Sequence, residues 1–207
     1  MRRFAGLGIA VAALALSACA QNLVQVRDIG AGNGEALALS RVAVAPFRAA
    51  PRAGAAALPS DATALVASYV AEGFGARGVD TVPASDVASA LGSAEIGADL
   101  NAALAVARDK FGADALVAGS VHRFRDRDGQ AMGSVNPASV GFEVKIYRAA
   151  DGKLLWSGVF DHTQVALSAN ALTAAQYPGG GSRWMTSAEL ARWGTLRLVR
   201  EVPLATK

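Results

Sequence analysis

Cysteine is almost missing from this chain: its 207 residues contain one, Cys19. A lone thiol cannot close a disulfide within the chain, so no framework of that kind holds the fold. Histidine is nearly as scarce, with only His122 and His162. No His-x-His or His-x3-His pair supports a zinc site, and no second cysteine is there to help. Charge of one sign is lacking as well. The net charge is +3, and two of the basic residues are Arg2 and Arg3 at the very start. Without a basic stripe the chain has no footprint for nucleic acid. Neither a Gly-x4-Gly-Lys-Ser/Thr phosphate loop nor a Gly-x-Ser-x-Gly nucleophile elbow occurs. The long apolar run, Phe4 to Leu16, falls short of the roughly 20 residues a bilayer span needs.

That short run is informative for what surrounds it. Arg2 and Arg3 precede it, and small residues close it. A charged start, an apolar middle and a small-residue end describe a secretory signal. Its end, Leu16-Ser17-Ala18-Cys19, resembles the lipobox, at which bacterial lipoproteins are acylated on the thiol and cut before it. Lipid on sulfur would also dispose of the one reactive thiol in an oxidising compartment. Two acyl chains anchor stably where one does not, at about 0.8 kcal/mol per buried CH2. The expected covalent group is a diacylglyceryl with an N-acyl chain on Cys19, and no other cofactor is expected. Ala20, where an enteric retention signal would place Asp, favours the outer membrane over the inner one.

The organisation expected is a signal at 1–18, a flexible tether at 19–40 and a single α/β domain at 41–207 with a helical tail. Arg41 to Phe47 alternates like a strand, and 48–59 is an Ala/Pro/Gly-rich loop. Ala62, Leu65, Val66, Tyr69, Val70 and Phe74 share a helical face behind a cap at Ser60 or Asp61. Val79–Val82 is a short strand, and a short helix runs from about Ser85 to Leu91. Asp99 caps a further helix whose stripe is Leu100, Ala103, Leu104, Ala107 and Phe111. Period-two patterns at 115–124, 140–147 and 153–163 predict an antiparallel three-strand meander. Thr186 and Glu189 form a capping box, with Met185 and Leu190 as its hydrophobic staple. Gly194 is expected to stop that helix; Thr195–Val202 is left open between a helical turn and an edge strand. Pro178–Ser182 reads as a mobile surface loop. The fold class is therefore α/β (α+β), a mixed sheet with helices on its faces.

Three segments carry a family resemblance: Val42-Ala-Val-Ala-Pro-Phe47, Gly112-Ala-Asp-Ala-Leu-Val-Ala-Gly-Ser-Val121 and Asp151-Gly-Lys-Leu-Leu-Trp-Ser-Gly158. In this order and spacing they resemble the domain shared by the front of TolB, the curli-secretion lipoproteins and the lipoprotein activators of penicillin-binding proteins. The resemblance covers about residues 41–163. Asp161, Thr163, Gln164 and the run Arg183 to Leu190 resemble a stretch of uncharacterised bacterial lipoproteins. It implies a periplasm-facing binding or assembly module rather than an enzyme, whose partner is an envelope protein or a second copy. The inter-strand segment 125–138 lacks the alternating apolar residues of a pore-forming hairpin.

Other chemistry is outweighed by context. Asp28-Ile-Gly-Ala-Gly-Asn-Gly34 looks like a methyltransferase glycine loop, but only Glu35–Ser40 separates it from the next strand, too little for the helix such a loop opens. His122 and His162 with Asp161 could be imagined as a zinc site, or with Ser120 or Ser157 as a triad. The middle strand of the meander should keep the histidines apart. Tyr177, Arg183, Trp184 and Trp193 cluster in the tail, and these residue types anchor interfaces. Two readings of them stay open: the rings fill a core as the tail packs back on the sheet, or they form a partner surface.

Overall fold

The computed structural model describes residues 24–27, 36–52, 56–92, 99–166, 168–169 and 174–205. Among them, β1 is Val24–Arg27, β2 Arg41–Val44, β3 Arg48–Ala49, α1 Ala62–Gly75 and β4 Asp80–Val82. Then come α2 (Ala84–Leu91), α3 (Leu100–Ala105), β5 (Ala115–Arg125), β6 (Asp128–Gln130) and β7 (Gly133–Asn136). β8 (Ser139–Arg148), β9 (Leu154–Thr163) and α4 (Ser187–Arg200) complete the set. The main sheet runs β1-β9-β8-β5-β2-β4, with β3 also beside β5. β2 is parallel to β4 and β5, whereas β5, β8, β9 and β1 pair antiparallel. This is the expected mixed sheet, and β5, β8 and β9 are its meander.

Helices cover both faces of the β2 side, and β2 shows why. Its residues alternate between two cores: Val42 and Val44 join one, Ala43 and, just past the strand's end, Ala45 the other. A strand buried on both sides must be apolar throughout. The larger core lies under α1 and α4 and holds Val66, Val70, Phe74, Phe142, Ile146, Trp156, Phe160, Leu190 and Leu198. The smaller lies under α2 and α3 with Val87, Leu104, Ala107 and Leu116.

Local chemistry explains most of the ends. Asp99 accepts from the Asn101 and Ala102 amides at the start of α3, which runs on through a π-helical turn, Val106–Lys110. Asp61 holds the N-cap position of α1 but makes no side-chain cap bond. Thr186 and Glu189 form the full reciprocal capping box of α4, and Met185 and Leu190 are both buried in the larger core. Pro178–Gly181 is a short 3-10 turn, which left-handed Gly179, Gly180 and Gly181 make possible.

Gly194 is corrected by the structure. Helix α4 continues through it to Arg200, so Thr195–Arg200 is helical rather than an edge strand. A Cβ on Gly194 would stand 2.5 Å from Cε1 and Cζ of Phe160. The glycine lets the helix lie flush on that ring. The helix ends instead at Arg77, whose Nη1 donates to the carbonyls of Val199 (2.6 Å) and Val202 (2.7 Å). A cation on the last carbonyls satisfies groups the helix cannot. Glu72 of α1 and Arg192 of α4 add an ion pair between the two helices.

Two stretches of the segment expected as a tether are built into the fold. β1 pairs along β9, with Val24 opposite Phe160 and Arg27 opposite Ser157. Leu37 exchanges backbone bonds with Pro203 and Ala205, and Leu39 is buried.

Candidate functional site

The tail residues fall into two groups. Tyr177 is 3% exposed. Its ring lies 5.7 Å from His162 and 5.1 Å from Trp193, centroid to centroid. Its hydroxyl accepts from the Val165 amide at 3.1 Å and is hydrogen-bonded to Nε2 of His162. One hydroxyl thus ties the chain after β9 to β9 itself. Burial pushes the His162 ring down to about 4, with Arg123 adding to the effect, so the ring is neutral at physiological pH. Burial likewise raises the Tyr177 hydroxyl above its usual range. Trp193 is half-buried, edge-on to Phe160, with the Arg197 guanidinium 5.2 Å from its ring.

Arg183 and Trp184 lie elsewhere, on a surface groove of about 410 Å³ shared with Ala131, Met132, Gln164 and Val165. Arg183 makes a bidentate pair with Glu189, at 2.8 and 2.9 Å. Those bonds and the capping box hold the Glu189 carboxyl down to about 2. Gln164 is buried and works as a clasp: Nε2 donates to the Arg183 carbonyl, and Oε1 accepts from the Met185 amide. Trp184 donates its amide to the Ala131 carbonyl, and its own carbonyl accepts from Arg127. The tail is therefore fastened to the β6–β7 hairpin. The four residues do not form one patch: Tyr177 is core, Trp193 flanks it, and Arg183 and Trp184 face a groove beside the hairpin.

A second cluster was not legible in the sequence as a site. Asp161 takes Nη2 of Arg52 at 2.7 Å, a guanidinium nitrogen of Arg123, and Nε2 of His122 at 3.4 Å. Two features of the strands make this possible. The β5–β8 register shifts between Val121 and Arg123, a bulge that leaves His122 as the extra residue. Between β5 and β9 stands Gly141, paired with Arg123 on one side and Asp161 on the other. A Cβ there would collide with the His122 ring, 2.8 Å from Cδ2. Burial alone would raise the Asp161 carboxyl; Arg123, Arg52 and His122 outweigh it and hold it below the usual range. Burial lowers His122, and Asp161 opposes that only in part. A glycine inside an otherwise alternating strand was the available signal.

His162 is the neighbour of Asp161 in sequence but points to the opposite face of the sheet. The two histidines therefore do not meet, as the intervening strand led one to expect. Among the described residues, no group of three or more His, Cys, Asp and Glu side chains is placed to share a metal ion. No helix among them is long and apolar enough to cross a membrane. Leu16, Ser17, Ala18 and Cys19 lie outside the described residues, as does the glycine run at 28–34.

No protein-family model matches this chain, and no curated protein matches it either. Solved structures do. A dodecamer of a PelC variant from Paraburkholderia phytofirmans superposes with a TM-score of 0.56 at 16% identity, over 88% of this chain and 98% of that one. A second PelC dodecamer from the same organism gives 0.53 at 16% identity, over 88% and 99%. Lipoprotein GNA1162 from Neisseria meningitidis gives 0.44 at 21% identity, over 60% and 83%. At such identities the PelC likeness speaks to the fold: this chain has the architecture of those subunits over nearly their whole length.

Proposed function

We propose that this protein is a lipid-anchored, non-catalytic module of the bacterial envelope, held to the outer membrane through Cys19 and facing the periplasm. There it binds an envelope protein or assembles with one. The observation that carries the reading is the lipobox Leu16-Ser17-Ala18-Cys19, which ends five residues before a strand that belongs to the domain's sheet. An anchor so close to the fold confines it near the membrane and raises its effective concentration for a neighbour. The titratable groups support a structural account. His162 is spent on Tyr177, and Asp161 is spent on two guanidinium groups, with the His122 ring beside them.

Self-assembly is the second reading, and one observation favours it. Two of the solved structures that this chain superposes on are dodecamers. Copies tethered to one surface meet in two dimensions, which favours association through weak faces.

The test is membrane fractionation and intact mass of the wild-type chain and of Cys19→Ala in a Gram-negative host. Membrane-bound wild type carrying a diacylglyceryl mass, with the variant uncut or soluble, is the expected result. Two soluble proteins sharing one cleavage site would overturn the anchor. Analytical ultracentrifugation of the lipidated protein in detergent separates a monomer, which needs a different partner, from a closed oligomer.

A further inference from the structure

The most exposed large apolar side chains among the described residues are Met132, 84% exposed, and Val135, 87% exposed. Both sit on the β6–β7 hairpin, Met132 in its turn and Val135 on β7. Leu100, the next, is 38% exposed. The hairpin is a held element rather than a loose loop. Asn136 donates to Asp128 at 2.9 Å, and the Ser134 hydroxyl reaches the carbonyls of Asp128 and Asn136 at 2.8 and 2.7 Å. Trp184 and Arg127 tie it to the segment before α4, and Asp126 accepts from the Ser187 amide. Two large apolar side chains this exposed on one fixed support offer apolar surface for a partner or a membrane to cover.

Topology says what lies nearby. β5 ends, β8 begins and β9 ends at one edge of the sheet, where Ser139 pairs with both Arg125 and Thr163. The hairpin extends from that edge. β1 runs antiparallel to β9 with Val24 opposite Phe160, so Val24, where β1 starts, is the residue of β1 nearest this same edge. The five residues back to Cys19 reach at most about 18 Å. The start of β1 and the apolar hairpin thus belong to one end of the molecule. The opposite end carries the polar β8–β9 turn at Asp151.

We propose that the β6–β7 hairpin lays Met132 and Val135 into the surface of the phospholipid bilayer, a second contact beside the lipid that fixes the orientation of the domain. The proposal rests on the Cys19 anchor. The hairpin does not cross the membrane: β6 has three residues and β7 four, against the roughly 9–11 a spanning strand needs. With the end carrying the anchor held against the bilayer, the face bearing Asp161, Arg52 and Arg123 would stand along the membrane normal, open to neighbours.

Lipidation leaves the chain without a free thiol, so a single introduced cysteine can be labelled. Met132→Cys, Val135→Cys and, at the far end, Asp151→Cys would each be purified from membranes and checked by mass for diacylglycerol. Each would carry an environment-sensitive nitrobenzoxadiazole dye and be reconstituted in phosphatidylethanolamine/phosphatidylglycerol vesicles. Labels at 132 and 135 should shift to the blue and lose emission to spin-labelled lipid, while the label at 151 should do neither. Water-like emission at 132 and 135 on protein of the correct lipidated mass overturns the hairpin contact and leaves the anchor standing. A blue shift that grows with protein concentration in a Cys19→Ala background without vesicles identifies a second copy as the cover and also overturns it. Absence of the diacylglycerol mass overturns the anchor, and the proposal with it.

Discussion

Gly194→Ala separates two opposite expectations about α4. In a helix interior, exchanging Gly for Ala stabilises by about 1 kcal/mol, because glycine surrenders more backbone freedom. Tertiary contact opposes that gain. The added methyl would stand 2.5 Å from Cε1 and Cζ of Phe160 and 2.7 Å from Cε2, where carbon atoms prefer about 3.5–4.0 Å. The ring cannot easily yield. It is fully buried, with Phe142 at 5.3 Å and Trp193 at 6.1 Å between centroids. Moving the helix instead would strain the Arg77 bonds to Val199 and Val202 and press on the α1–α4 seam, where a Cβ on Gly73 would already be 3.1 Å from Val199. Overpacking of this kind costs about 1–3 kcal/mol. Contact with a ring face in a fixed core belongs at the upper end, so the net destabilisation should be about 1–2 kcal/mol. For a chain of this size that is a fall in Tm of roughly 2–8 °C. Urea and thermal unfolding of the Cys19→Ala chain with and without Gly194→Ala is the assay. Adding Phe160→Leu should make the same substitution cheaper by about 1 kcal/mol, since neighbours in contact couple. A variant more stable by about 1 kcal/mol would refute the reasoning and restore Gly194 as a mere helix weakener.

Two further outcomes follow from the charged and buried groups. His162 titrates near 4 in the fold against about 6.5 unfolded. Between those values the unfolded chain binds a proton the folded one refuses, so stability should fall as pH drops from 6.5 and level off below 4. The shift sets an upper limit of about 3 kcal/mol, and partial exposure of the ring trims this to about 1–2 kcal/mol. Unfolding of His162→Gln at pH 7 and pH 4 is the check, and an equal pH loss in both proteins counts against it. At the other cluster, Asp161→Ala leaves the partly buried Arg123 guanidinium without its carboxylate and should cost about 2–3 kcal/mol. Arg52→Ala removes a largely exposed partner and should cost under about 1 kcal/mol; equal losses from the two substitutions would mean that Asp161 is not the centre of the cluster.

What the amino-acid sequence determined by itself is local. The capping box at Thr186 and Glu189 and the Asp99 cap depend on residues within one helical turn, and both formed as read. The three meander strands were legible because the outer part of each alternates between buried and partly exposed positions. The mixed sheet class follows from their order among the helices. Tertiary structure decided the rest. Gly194 looked like a stop because glycine weakens a helix in isolation; only contact with Phe160 turns it into a place of close approach. The 125–138 segment lacked alternation because each arm of its hairpin is too short to show a period, and it is held by the tail, some 50 residues later. β1 became visible only when β9 supplied its hydrogen bonds. The Asp161 cluster joins four residues spread from Arg52 to Asp161 by a bulge and a missing side chain at Gly141. A strand's sequence records which face is buried; it does not record which strand lies beside it, and contacts made across strands come into being only when the sheet is assembled.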